Sequence, residues 1–162
     1  MTDPVATYFG AERAASLLFI GVACVAFEAA FTCWRKSGTR QARGAAVAMA
    51  LVAALQLGVG ATIFVRSPQD QARVQQAMQG DRAQIRGHEL PRMLQVVRNF
   101  ERYRWIELGL LVVALLVAAL ARSRSWQRGA ALGLAPQVLI VLLFDALAEK
   151  RALVYVDWLQ QQ

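Results

Sequence analysis

The stretch PRMLQVVRNFERYRWIELGLLVVALLVAAL, residues 91–120, decides the fold. Its first half is rich in arginine and has apolar residues at helical spacing, whereas its second half is apolar enough to enter a bilayer. No residue breaks the helix where the halves join, and Glu107 lies just inside the apolar part. A helix over 91–121 would be about 45 Å long, against roughly 30 Å for the hydrocarbon core. The sequence therefore predicts a helix that crosses a membrane and projects beyond it.

Three further apolar runs surround this stretch, so the sequence predicts an all-α protein of one domain, residues 1–162. The predicted bundle has four transmembrane helices, over about 14–34, 45–65, 105–121 and 130–148. An extramembrane insert over 66–104 is predicted between spans two and three as a helical hairpin or cap. Ser67 as a cap and Pro68 in a first turn predict that a separate helix begins there.

The positive charge is explained by membrane topology rather than by nucleic acid. The formal net charge is +7 and 57% of the residues are hydrophobic. Basic residues without acids fill the short loops after spans one and three: Arg35, Lys36, Arg40, Arg43, Arg122, Arg124 and Arg128. By the positive-inside rule these loops are predicted to face the cytoplasm of a bacterium, across its inner membrane. Both termini and the 66–104 region are then predicted to lie outside.

Five charged residues are predicted to meet at the outer boundary of the membrane. They come from spans two, three and four, and they are Arg66, Arg104, Glu107, Asp145 and Glu149. Charges inside a span are costly, by about 2.5–3.5 kcal/mol at its centre, so they need partners. The pattern allows a structural salt-bridge network, a polar pocket for a headgroup, an ion or a proton, or a catalytic site.

A second intramembrane polar pair is predicted nearer the cytoplasmic side. Glu28 lies in span one and Gln56 near the middle of span two. A protonated Glu28 that hydrogen-bonds to Gln56 would remove the cost of a buried charge. The alternative for Glu28 is a proton-relay role.

The predicted cap has one apolar face and one basic surface. Met93, Val96, Val97 and Phe100 recur at helical spacing and are predicted to pack on the helix of Val74 and Met78 or on the top of the bundle. The basic surface is formed by Arg92, Arg98 and Arg102. A membrane-surface helix and a partner-binding groove are the alternatives for this face.

The sequence offers no metal or cofactor motif. His88 is the only histidine, and Cys24 and Cys33 would lie about 13 Å apart on one helix, too far for a disulfide. There is no P-loop, GxGxxG or GxSxG pattern. We therefore expect no cofactor and no metal, and the lack of these motifs weighs against enzymatic activity.

Four strings resemble a family of small four-span bacterial integral membrane proteins, themselves uncharacterised. They are LQLGVGATIFVRSPQDQARV (55–74), ELPRM (89–93), NFERYRWIEL (99–108) and LGLAPQVLIVLLFDALAEKRALVY (132–155). The resemblance implies the four-span fold and draws attention to Arg66, Pro68, Glu89, Pro91, Arg92, Arg104, Glu107, Asp145 and Glu149. It implies no activity.

The leading functional hypothesis is a non-enzymatic protein that acts through its 66–104 cap on a partner protein or lipid. Its expected partners are the bilayer, a lipid headgroup or membrane protein, and a second copy of the chain. The alternatives are a proton- or ion-coupled transporter or channel subunit and a membrane enzyme on a lipid-linked anionic substrate. A wet cavity that reaches Glu28 would favour transport, whereas a lateral opening toward lipid beside Arg66 and Arg104 would favour lipid binding or an enzyme.

Overall fold

The computed structural model describes residues 3–36, 38–79 and 85–161. In these ranges the chain forms four long α-helices and one π-helical turn. The helices are α1 (Pro4–Lys36), α2 (Arg40–Gln79), α3 (Leu90–Leu120) and α4 (Trp126–Gln160), and the π-helical turn is Ile85–Glu89. All four helices are long and apolar enough to cross a membrane. The all-α prediction is confirmed, and residues 80–84 of the predicted 66–104 insert lie outside the described residues.

Local signals fix where three of the helices begin. The Asp3 carboxylate accepts a hydrogen bond from the backbone N–H of Val5, and the Thr39 hydroxyl accepts one from Ala42. The Ser125 hydroxyl accepts one from Arg128 at the start of α4. Each contact satisfies a backbone donor that has no partner in the first helical turn.

The prediction that a helix begins at Ser67 is wrong, because α2 continues through Pro68 as one helix of 40 residues. Proline removes one backbone hydrogen bond from the helix. Packing of the helical segments before and after Pro68 outweighs that loss. Ser67 does not cap a helix, and its hydroxyl donates instead to the Glu12 carboxylate of α1. The 66–79 segment is thus the continuation of span two.

Both short connections, 37–39 and 121–125, lie at one end of the bundle, which we call the short-loop end. The opposite end, the far end, carries the first turns of α1 and α3 and the last turns of α2 and α4. At about 1.5 Å per residue the helices are roughly 46–60 Å long, so each exceeds the hydrocarbon core. Because the apolar spans begin near the short loops, the surplus of every helix lies at the far end.

The far end has its own hydrophobic core, which we call the outer core. Its buried residues come from all four helices: Val5, Phe9, Val74, Met93, Ala152, Tyr155, Val156 and Leu159. Met78, Val96, Val97 and Phe100 pack against it. The α3 face packs into this core at the top of the bundle, which is one of the two predicted arrangements, and it does so without backbone contact to the Val74 helix. The ends of α1 and α4 are equal members of this core, which the prediction of a hairpin from 66–104 alone did not include.

The seam between α2 and α4 is built from small residues. A Cβ atom at Gly133 would lie 2.6 Å from the backbone oxygen of Ala45, and one at Gly129 would collide with the backbone of Gln41. Glycine at these positions lets the two backbones approach closely. Gly60 likewise lies against Ile20 of α1, whereas Gly58 has no neighbour within 4 Å.

Helix α3 is peripheral within the spans. In the described ranges its backbone packs against α4 and the π-helical turn, and it does not approach the backbone of α1 or α2. Only 6% of its most apolar 18-residue stretch is buried, against 28% for the corresponding stretch of α1. A gap therefore opens between α3 and the α1–α2 pair below the outer core.

Candidate functional site

This gap is a cavity of about 580 Å³ that all four helices line. Its volume is within the range of about 300–1,000 Å³ that is usual for ligand pockets. On α2 the lining extends from Val52 to Arg66, and on α4 from Val138 to Arg151. Each of these stretches corresponds to about 20 Å along a helix. The cavity is long and narrow, parallel to the bundle.

Most of the cavity wall is apolar or aromatic. It includes Phe19, Leu55, Val59, Ile63, Phe100, Ile106, Leu110, Val138, Val141 and Phe144. Tyr8, Val96 and Phe100 belong both to the wall and to the packing around the outer core, so that core closes the far end of the cavity. The side between α3 and α1–α2 has no covering backbone among the described residues. Its geometry is that of a lateral cleft.

The polar groups of the cleft lie mainly toward its far end. They are Glu12, Ser16, Gln56, Arg66, Tyr103, Glu107, Asp145 and Arg151. Of the predicted five-residue cluster, Arg66, Glu107 and Asp145 line the cleft, whereas Arg104 and Glu149 do not. The structure also adds Glu12, Ser16 and Arg151, which the sequence analysis did not single out. Their helical spacing alone could not show which face of each helix meets the cleft.

The ion pairs differ from those predicted. Arg104 was predicted in one cluster with Glu107, Asp145 and Glu149, and of these its Nη1 donates to Oε2 of Glu149 at 2.7 Å. Arg66 was expected beside Glu107 and Asp145, but its Nε lies 3.0 Å from Oδ2 of Asp70, one turn along the same helix. Arg66 takes a partner four residues along its own helix, because residues at this spacing are neighbours on the helix surface. Arg104 instead pairs across helices with Glu149, so neither arginine pairs with Glu107 or Asp145.

Glu107 and Asp145 are left facing each other. Both line the cleft, on the packed helices α3 and α4, and their carboxyl groups are near enough to interact. Neither forms a salt bridge in the part of the chain that the structure describes. Oε2 of Glu107 is buried with no hydrogen-bond partner there. The cleft thus contains two carboxyl groups whose charge no described side chain balances.

The predicted hydrogen bond between Glu28 and Gln56 is not formed. Glu28 is exposed on α1 and does not line the cleft. Gln56 is 2% exposed and lines the cleft, and neither of its amide atoms has a partner among the described residues. Their positions in the two spans predicted a similar depth in the membrane, but the side chains project from different faces of the α1–α2 pair.

The basic surface of the far end is only partly free. Arg92 forms a bidentate pair with Glu89, with distances of 2.9 Å from Nε and 2.6 Å from Nη2. This hydrogen-bonded carboxylate raises the pKa of Arg92 further above its usual value. Arg98 donates to Gln95 at 2.7 Å, and Arg102 is exposed. Arg98 and Arg102 remain the accessible cations of this face.

Two tyrosines connect the outer core to this surface. Tyr8 and Tyr155 stack with ring centroids 4.4 Å apart. Burial is the main cause that raises the pKa of each phenol above 10, its usual value. The Tyr155 hydroxyl is buried with no hydrogen-bond partner in the described ranges.

No group of three or more His, Cys, Asp or Glu side chains that could hold a metal occurs in the described residues. His88 is exposed in the π-helical turn. Both cysteines are free thiols on α1. The polar groups of the cleft are suited to ionic contacts and hydrogen bonds with an organic ligand.

The chain matches no protein-family model, no curated protein and no solved structure. The resemblance to a four-span bacterial family stays a prediction. The fold itself defines the class: an all-α protein with four helices compatible with a helical membrane bundle, suggesting a multi-pass membrane protein.

Proposed function

We propose that this protein is a non-enzymatic integral membrane protein that takes an amphiphile from the bilayer into the cleft between α3 and α1–α2. The hydrocarbon chain lies against the apolar wall, and the polar end lies toward Glu107, Asp145 and the far end. The observation that carries the proposal is the cleft itself. It combines an apolar wall about 20 Å long, polar groups toward one end and an uncovered side.

The length of the cleft supports a chain-bearing ligand. One leaflet of a bilayer contributes about half of the roughly 30 Å hydrocarbon core. A wall of about 20 Å therefore accommodates most of one lipid chain together with its polar end. Because one chain of the protein lines the whole cleft, binding does not require an oligomer.

Topology completes the proposal. The short loops face the cytoplasm of a bacterium because they concentrate arginine and lysine, and the far end, including the extramembrane parts of 66–104, lies outside the inner membrane. There the outer core and the exposed Arg98 and Arg102 form the surface that meets a partner or lipid headgroups. A cysteine introduced at exposed Gln76, after Cys24 and Cys33 are replaced by serine, tests this. Labelling only from the cytoplasmic side would contradict it.

Transport by a Glu28 relay has less support, because Glu28 is exposed on α1 and does not line the cleft. A bound amphiphile needs no path through the bundle.

Blocking the cleft tests the proposal directly. Leu110→Trp adds a bulky ring to the wall, and Leu116→Trp makes the same change at an exposed position of α3 that does not line the cleft. After purification in mild detergent, native mass spectrometry should show bound lipid on the wild type and on Leu116→Trp but not on Leu110→Trp. Equal retention by all three proteins would contradict the proposal.

A further inference from the structure

The charges in the cleft favour one polar end over the others. Of the arginines nearest to the carboxyl groups, Arg66 pairs with Asp70 and Arg104 with Glu149, whereas Arg151 lies about 9 Å farther toward the far end. Glu107 and Asp145 have no cationic partner in the described ranges. Two carboxyl groups do not attract each other unless a proton or a cation lies between them. The unbalanced charge of the cleft is therefore negative.

Gln56 provides an independent observation. Its side chain is almost fully buried on α2, lines the same cleft and leaves both amide atoms unpartnered among the described residues. A buried amide without hydrogen bonds is unfavourable, and a bound polar group would remove that cost. Its oxygen adds a third hydrogen-bond acceptor from a third helix.

Contacts between the helices place this amide close to the two carboxyl groups along the bundle. Gly60 of α2 lies against Ile20 of α1, and the neighbouring Phe19 packs on Phe144 with ring centroids 5.0 Å apart. Gln56 is four residues from Gly60, and Asp145 follows Phe144. The amide is thus about one helical turn nearer the short-loop end than the carboxyl groups. A long glutamine side chain can bridge much of that distance.

We infer that the ligand of the cleft is a primary-amine amphiphile whose ammonium group binds Glu107, Asp145 and Gln56. This inference rests on the proposed binding of an amphiphile. A primary ammonium has three N–H donors, one for each of the three acceptor groups that α2, α3 and α4 supply. Its charge balances the carboxyl pair, and its contacts to carboxylates are charge-assisted hydrogen bonds. Aromatic rings of the wall, such as Phe19 and Phe144, are also compatible with a cation.

Depth separates this ligand from a phospholipid whose amine follows a phosphate. The carboxyl groups lie deeper in the membrane than Arg151, which is six residues and about 9 Å farther toward the far end. A phosphate next to the chain would occupy the depth of Glu107 and Asp145, where it would be repelled. The ammonium is therefore attached directly to the hydrocarbon chain.

Dodecylamine, dodecanol, dodecyl phosphate and dodecyltrimethylammonium test the inference, because they share one chain and differ in the polar end. Dissociation constants are measured on the detergent-solubilised protein by native mass spectrometry. Dodecylamine should bind at least about tenfold more tightly than each of the others. The trimethylated analogue keeps the charge but has no N–H donor. Equal affinity for all four compounds, or a preference for the phosphate, would overturn the inference.

Variants test which residues cause the preference for dodecylamine. The double variant Glu107→Gln and Asp145→Asn, and separately Gln56→Leu, should reduce the preference for dodecylamine. Glu101→Gln removes an acid from an exposed position of α3 and should leave it unchanged. A preference that survives the double variant would overturn the inference, and if that variant does not fold, the four compounds on the wild type still decide.

Leu110→Trp distinguishes failure of the inferred amine from failure of the proposed amphiphile binding. If it abolishes binding of every dodecyl compound although the compounds do not differ on the wild type, the cleft binds amphiphiles and only the inferred amine is wrong. If it changes no affinity, the proposed function itself is wrong.

Discussion

Arg104 of α3 and Glu149 of α4 form a salt bridge of 2.7 Å one helical turn from Glu107 and Asp145 toward the far end. This pair takes up the arginine nearest to Glu107. It also ties peripheral α3 to the helix on which it packs. The unbalanced carboxyl groups of the cleft are thus a consequence of where one arginine is used.

The Arg104–Glu149 pair should contribute modestly to stability. The side chains are 44% and 16% exposed, so solvent screens part of the attraction. A double-mutant cycle with Arg104→Ala and Glu149→Ala, measured by SDS-titrated unfolding, should give a coupling energy of about 0.2–1 kcal/mol. Exposed Arg98 provides a control that should show no coupling to Glu149. Additive effects of Arg104→Ala and Glu149→Ala would show that the pair contributes nothing.

The small-residue seam gives a second prediction. Gly133→Ala places a Cβ atom 2.6 Å from the Ala45 backbone oxygen, so α2 and α4 must move apart. It should destabilise the protein by about 1–3 kcal/mol. Gly58→Ala meets nothing within 4 Å and should stabilise α2 by up to about 1 kcal/mol. Thermal unfolding in detergent compares the two, and a lower midpoint for Gly58→Ala than for Gly133→Ala would contradict the seam.

Continuity of α2 through Pro68 gives a third prediction. Alanine at this exposed position restores the missing backbone N–H inside a helix, so Pro68→Ala should raise the free energy of unfolding by up to about 3 kcal/mol. Pro91 lies in the first turn of α3, where no helical hydrogen bond is lost, so Pro91→Ala should change stability little. Strong destabilisation by Pro68→Ala would favour the separate helix start that the sequence suggested.

The stacked tyrosines predict loss of stability in alkali. Burial raises the pKa of Tyr155 in the folded protein above its usual 10, so the folded state holds this proton more tightly than the unfolded state. That contribution is complete below pH 10 and is lost as the pH rises above it. Tyr155→Phe removes the ionisable group and an unpartnered hydroxyl. It should therefore leave stability at pH 7 unchanged or slightly higher.

Thermal midpoints of the wild type and of Tyr155→Phe between pH 7 and pH 11 check this. The difference should grow in favour of Tyr155→Phe above pH 10. Tyr103→Phe is the matched control, since Tyr103 is 50% exposed and outside the tyrosine stack. Parallel curves for all three proteins would contradict the prediction.

Hydrophobic length and the helical spacing of apolar residues were sufficient to predict the four helices. The same signals predicted that the Met93 face would pack inward. They missed the helical start of α1 and its Val5 and Phe9, because these few apolar residues precede the span. The prediction of a helix start at Ser67 and Pro68 was wrong for a related reason. A local helix-start signal cannot show that packing of the segments before and after Pro68 maintains a longer helix.

The sequence predicted the depth of the site residues in the membrane, but not the direction in which each side chain projects from its helix. Depth correctly placed Glu107 near Asp145, and Arg104 near Glu149. It could not show which partner each arginine selects, nor that Glu28 and Gln56 project from different faces. Such choices depend on the rotation of each helix about its axis, which the nearly uniform apolar spans leave undetermined. The lateral cleft depends on the absence of backbone contact between α3 and the α1–α2 pair in the described ranges, for which the sequence has no signal.

The most direct test of an amphiphile in the cleft is nuclear Overhauser contact between lipid chains and buried cleft residues. Val138 is 3% exposed and lines the cleft, whereas Val156 is 4% exposed and belongs to the outer core. In detergent or nanodiscs that contain protonated lipid, the Val138 methyl groups of a deuterated, methyl-protonated protein should show contacts to lipid chain protons. Val156 should show none. Contacts restricted to exposed residues such as Val112, with water alone at Val138, would contradict binding of an amphiphile in the cleft.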